Sequence, residues 1–99
     1  MREWVIAELR VIPLGTATPS VSPYIAACLD VIKQAKGISY QLTGMGTIIE
    51  GPLAQVLELV QKVHEVPFTK GAQRVVTLIS IDDRRDKQVT AEDKVKAVS

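Results

Sequence analysis

Two apolar stripes of helical period constrain this chain most. Ile25, Cys28, Leu29 and Ile32 recur at i, i+3, i+4 and i+7, and so do Leu53, Val56, Leu57 and Val60. Each stripe is one face of an amphipathic helix that must be buried against something. The segments around the stripes alternate with a period of two, so the surface they cover is a sheet. In residues 3–13, "EWVIAELRVIP", one strand face carries Val5, Ala7, Leu9 and Val11. The other carries Trp4, Ile6, Glu8, Arg10 and Ile12. The first face suits a core. The second is neither cleanly polar nor cleanly apolar, as expected of a face that meets a partner subunit or a ligand.

Local signals place the remaining elements. Ser22 reads as an N-cap with Pro23 at the first helical position, and Gly37 as the residue that ends this helix. Residues 38–43 and 45–50 read as two strands joined at Gly44 into a hairpin. Pro52 opens the second helix, which is expected to stop before Pro67. "QRVVTLISID" is a strand bounded by Gly71 and the charged run "DDRRDK". Thr90 with Asp93 three positions on forms a capping-box pattern before a short terminal helix. The order is β-α-β-β-α-β plus that helix. The expected fold is α+β, a ferredoxin-like βαββαβ sandwich in one domain spanning residues 1–99. Two helices cover one sheet face. The last strand has no polar face, so the open side is expected to pack on another subunit.

Composition removes several function classes. The net charge is +1 with no basic run, which gives no support to nucleic-acid binding. A 46% hydrophobic, 23% charged chain reads as folded and soluble. No stretch reaches transmembrane length, and one cysteine suits a reducing, cytoplasmic setting. The lone Cys28 and the lone His64 make a metal site of nitrogen and sulfur ligands unsupported. Cys28 is expected in the core and His64 at a helix end, where its cation meets the helix dipole. No G-x-S-x-G elbow or phosphate loop is present, so no catalytic residue is assigned and no cofactor is expected. Fold alone does not choose a function. It does exclude base-stacking RNA binders, because aromatics are only 4% of the chain and none lies on the last strand. The Cys-x-x-Cys of heavy-metal carriers and the asparagine of acylphosphatases are missing as well.

What remains is a set of polar residues among apolar strands: Thr16, Ser20 and Ser22 after the first strand, Thr47 and Glu50 on the third, and Arg74, Ser80 and Asp82 on the fourth. Each has an ordinary reading as a cap, a turn or a rim charge.

Three motifs then fall together: "PLGT…SVSPYIA", "YQLTGMGTIIEG" and "RVVTLISIDDRRDK…EDKV". In combination, from Val5 to Val98, the chain resembles the thiamine-binding protein family of small ferredoxin-like domains, the YkoF-like superfamily. The resemblance implies a non-enzymatic protein that binds thiamine or its hydroxymethylpyrimidine moiety. It also implies self-association through open sheet faces, as dimers or tetramers. Such a ligand asks for a carboxylate, hydroxyls and a soft apolar wall. Glu50 and Thr47 are the first candidates, followed by Ser20, Ser22 and Met45, with Thr16 and Tyr24 nearby. Strand alternation sets Thr47 and Glu50 on opposite faces, so this site requires the strand to bend at Glu50. The alternatives are an oligomeric structural module that binds no ligand and a regulatory domain for a different cationic or heteroaromatic molecule.

Overall fold

The computed structural model describes residues 4–17 and 19–99. Glu3, where the first strand was expected to begin, lies outside them. The elements run β1 (Trp4–Leu14), α1 (Ser22–Lys33), β2 (Ser39–Leu42), β3 (Thr47–Pro52), α2 (Leu53–Thr69), β4 (Arg74–Asp82) and α3 (Ala91–Lys96). The sheet is antiparallel in the order β2-β3-β1-β4, the ferredoxin-like arrangement.

Register fixes which side chains share a face. Ala7 lies between Ile49 and Ile81, and Leu9 between Thr47 and Ile79. This face is the core. Val5, Ala7, Leu9 and Ile49 meet Cys28 and Ile32 of α1 and Val56, Leu59 and Val63 of α2. On the opposite face Ile6 lies between Glu50 and Asp82, and Glu8 between Ile48 and Ser80. Glu8 there accepts from Arg10 at 2.9 Å.

The open face is not bare. Glu50 Oε1 accepts a hydrogen bond from the backbone N–H of Ala91 at 2.9 Å, and Lys94 pairs with Asp82. These two ties flank Ile6, so α3 lies across that end of the sheet and supplies a partial third layer. A carboxylate at a helix N-terminus is the favourable polarity. The expected capping box is present. Thr90 Oγ1 accepts from the Asp93 N–H at 3.1 Å, and Asp93 accepts from the Thr90 N–H at 3.0 Å.

Several boundaries differ from the sequence expectation. The α1 N-cap is Val21, not Ser22, and no side chain caps it, because Ser22 is already helical. The helix ends at Lys33. Gly37 lies beyond it, at φ +75°, in the turn that leads to β2. β3 begins at Thr47, not Met45, because the Thr43 hydroxyl claims the preceding residues. It accepts from the N–H groups of Met45 (3.2 Å) and Gly46 (3.1 Å) and donates to the Gly46 carbonyl (2.8 Å). That hydroxyl-centred turn takes Met45 and Gly46 out of the ladder. β3 then runs to Pro52, and Leu53 starts α2 without a connecting loop.

Pro67 does not stop α2, which continues to Thr69. A proline removes the N–H that would bond the carbonyl four residues earlier. That carbonyl belongs to Val63, and the Cys28 thiol donates to it at 3.8 Å from the facing helix. The ring itself is fully buried. Burial and a replacement donor thus offset the lost helical bond. His64 is not at the helix end either. Its Nδ1 lies 2.6 Å from the Thr77 hydroxyl of β4, and its ring meets Phe68 edge-on.

Candidate functional site

The core face does not close completely. Between α1, the centre of β1 and the β2–β3 turn lies a cavity of about 430 Å³, within the range of small-molecule sites. Leu9 and Val11 of β1, Ile25, Leu29 and Ile32 of α1, and Val63 of α2 supply apolar walls. Leu42, Met45 and the glycines of the β2–β3 turn line its turn side. Met45 is 72% exposed although it borders the cavity, a position suited to a soft, adaptable wall. Gly46 is there for a steric reason. A Cβ on it would lie 2.9 Å from the Leu9 carbonyl oxygen and 3.1 Å from Arg10 Cγ.

Thr47 is the polar feature of this cavity. It is 9% exposed, it lines the space, and its hydroxyl has no hydrogen-bond partner among the described residues. The hydroxyl oxygen is not sealed from solvent, so it can bond water or a molecule that enters the space. The Thr43 hydroxyl, by contrast, is spent on the turn. The Cys28 thiol also borders the cavity, and burial pushes its pKa up, keeping it neutral. Arg10 is the charged residue among those bordering the cavity, its side chain on the open-face side paired with Glu8, and no carboxylate contributes. The electrostatics therefore suit a neutral ring better than a buried cation.

The sequence candidates do not form one site within the chain. Thr47 and Met45 meet at the cavity. Glu50 is on the other side of the sheet. The β1–β3 register runs unbroken from Thr47 to Pro52, so the bend that would unite Glu50 with Thr47 does not occur. Glu50 instead holds α3. Thr16, Ser20 and Tyr24 line a separate surface recess of about 300 Å³ with Lys70. Ser22 is exposed at the start of α1 and lines neither space. Sequence reasoning missed the α1 side of the cavity, since a helical core stripe looks the same whether or not it is fully packed. It also missed Thr43. The Thr-x-x-Gly spacing of residues 43–46 was the available signal for its turn. Among the described residues no cluster of three metal-ligating side chains occurs, and no helix is long and apolar enough to cross a membrane.

Comparison with known proteins agrees with this fold. The model of a family described as thiamine-binding protein matches residues 7–99. The UPF0045 protein YqgV of Bacillus subtilis is 50% identical over 97 residues, covering 95% of this chain and 93% of that one. The crystal structure of MJ1052 from Methanocaldococcus jannaschii superposes with a TM-score of 0.87 at 37% identity, over 99% of this chain and 97% of that one. A structure from Thermotoga maritima, whose name proposes a place in thiamine biosynthesis or salvage, has the same fold. Its TM-score is 0.77 at 21% identity, over 97% of this chain and 99% of that one.

Proposed function

The chain belongs to the thiamine-binding protein family, and on that premise we propose that it is a cytoplasmic, non-enzymatic protein whose core-face cavity takes hydroxymethylpyrimidine or the pyrimidine end of thiamine. The observation that carries this reading is the Thr47 hydroxyl, which lines a largely apolar space and has no partner among the described residues. An aminopyrimidine is flat and uncharged, and its edge both donates and accepts hydrogen bonds. Thr47 answers that edge, while Met45 and Leu29 answer the ring faces. The thiazolium of intact thiamine is a fixed cation. Without a carboxylate in the lining, this half stays toward solvent. A binding role is favoured over catalysis because the lining offers a neutral thiol and a hydroxyl but no imidazole or carboxylate to serve as a base.

Calorimetric titration with hydroxymethylpyrimidine and with thiamine tests the reading. Saturable binding of the pyrimidine, weakened in Thr47→Val and unchanged in Glu50→Gln, is the expected result. Absence of heat and of any rise in melting temperature at millimolar ligand refutes it and leaves the ligand-free structural module in its place. Self-association as a dimer or tetramer through the open sheet face is the second part of the proposal. It rests on Ile12, Leu14 and Leu78, which are apolar and exposed on that side. Leu14→Asp should lower the molecular mass measured by light scattering.

A further inference from the structure

Of the 6 glycines in the chain, all but Gly44 have a visible reason to be glycine. Gly15, Gly37 and Gly71 sit at positive φ. A Cβ on Gly46 would lie 2.9 Å from the Leu9 carbonyl oxygen, and one on Gly51 3.1 Å from that of Gly37. Gly44 has neither reason. Its φ is not positive, and a Cβ there would meet nothing within 4 Å. An alanine fits the present conformation as well. Yet Gly44 borders the cavity beside Met45.

The turn around it shows where a glycine is needed. The Thr43 N–H donates to the Gly46 carbonyl at 2.8 Å, which closes a hairpin loop of two central residues, Gly44 and Met45. Loops of that length favour type I′ or II′ turns, and type II′ places a glycine at positive φ in its first central position. Gly44 holds that position without that conformation. In a type II′ turn the Gly46 N–H bonds the Thr43 carbonyl. Here it donates to the Thr43 hydroxyl, which also accepts from the Met45 N–H at 3.2 Å. The base of the loop has little freedom. Leu42 pairs with Thr47, and Gly46 is wedged against Leu9 and Arg10. Movement is thus confined to Gly44 and Met45. Met45 is 72% exposed, an apolar side chain at the cavity rim with little to cover.

We infer that residues 43–46 form a two-state lid on the cavity. In the open state, the one described above, the Thr43 hydroxyl holds the loop. In the closed state Gly44 takes positive φ, the Gly46 N–H passes to the Thr43 carbonyl, and Met45 folds over the bound ring. This inference rests on the binding reading above and adds how the ligand is retained. Gly44 is the hinge and Thr43 the catch. Both are positioning residues that act through Met45. The ligand shifts the loop by as much as it prefers the closed state.

Oxidation of Met45 by hydrogen peroxide reads the lid, because a thioether reacts where it is exposed. Trypsin releases this residue in the peptide 37–62, which has no other methionine and no cysteine, so mass spectrometry follows it alone. Saturating hydroxymethylpyrimidine should slow the oxidation severalfold in the wild-type protein. Gly44→Ala should keep the melting temperature, since its methyl has room in the open state. It should weaken pyrimidine binding about tenfold, the cost of an alanine in the left-handed region, and abolish the protection. Thr43→Val removes the catch and should act in the opposite sense, slowing Met45 oxidation even without ligand. General damage to the turn does not give opposite signs at adjacent positions. Calorimetric saturation without protection in the wild type, full protection in Gly44→Ala, or oxidation no slower in Thr43→Val each overturns the lid and leaves the binding reading standing. A titration without heat overturns both.

Discussion

The two faces of one strand, β3, serve different ends. Thr47 and Ile49 point toward the helices, where Ile49 is fully buried and Thr47 borders the cavity. Ile48 and Glu50 point away, and Glu50 anchors α3. A residue's chemistry therefore does not announce its task. The carboxylate, the more conspicuous group, does structural work, and the plain hydroxyl is the one without a partner beside the cavity. Polarity is informative where no internal partner uses it beside a cavity, and much less so where a nearby backbone donor already does.

Substitutions can break or sharpen that contrast. The largest effect should come from Ile49→Ala, which leaves a hole at the centre of the core face and should cost about 2–5 kcal/mol in urea unfolding. Gly46→Ala should follow at about 1–3 kcal/mol, because the new methyl meets the Leu9 carbonyl and something must shift. It should also displace the turn side of the cavity and weaken ligand binding in the same sample. Thr47→Val separates recognition from stability. Hydroxymethylpyrimidine affinity should fall about tenfold, the worth of one hydrogen bond, while the denaturation midpoint holds steady. Glu50→Gln is its mirror image. It should loosen α3, raising amide exchange from Ala91 to Lys96 at a cost of about 1 kcal/mol, without touching the titration. If Glu50→Gln abolishes binding and Thr47→Val does not, the two faces have been assigned the wrong way round.

The smallest effect is electrostatic and confined to the open side. Hydrogen bonding to the Thr90 N–H and hydroxyl holds the Asp93 carboxyl below the usual aspartate range. A depressed carboxyl pKa contributes stability above its unfolded value of about 4 and loses it as pH falls through the folded value. The Thr90 amide resonance should therefore move, and α3 should fray, in acid below pH ~4, while the core-face amides stay protected.

Much of this architecture was legible because it is periodic. The alternation of Val5, Ala7, Leu9 and Val11 marks a face of β1, the two stripes mark α1 and α2, and Thr90 with Asp93 announces α3. What escaped depended on partners distant in sequence. Pro67 reads as a helix stop until Cys28 is seen meeting the Val63 carbonyl. Glu50 reads as an unengaged carboxylate until Ala91, far along the chain, is found on it. Alternation did warn that Thr47 and Glu50 diverge, and the straight register of β3 keeps them on opposite faces. The cavity had no sequence signature at all. It reflects imperfect contact between α1 and the sheet, and a pattern of apolar residues records a face without recording how tightly that face is packed.

The placement of β1 has a consequence for how the molecule comes into being. As an interior strand it needs neighbours on both sides, and one of them, β4, lies near the opposite end of the chain. A nascent polypeptide that has extruded β1 through α2 holds only three of its strands, with one side of β1 still unpaired. Such non-local pairing defers the final step and slows it. Cut between β3 and α2, the protein yields no half able to complete its own sheet. The fold is effectively all or nothing, decided only when the last strand arrives to close beside the first.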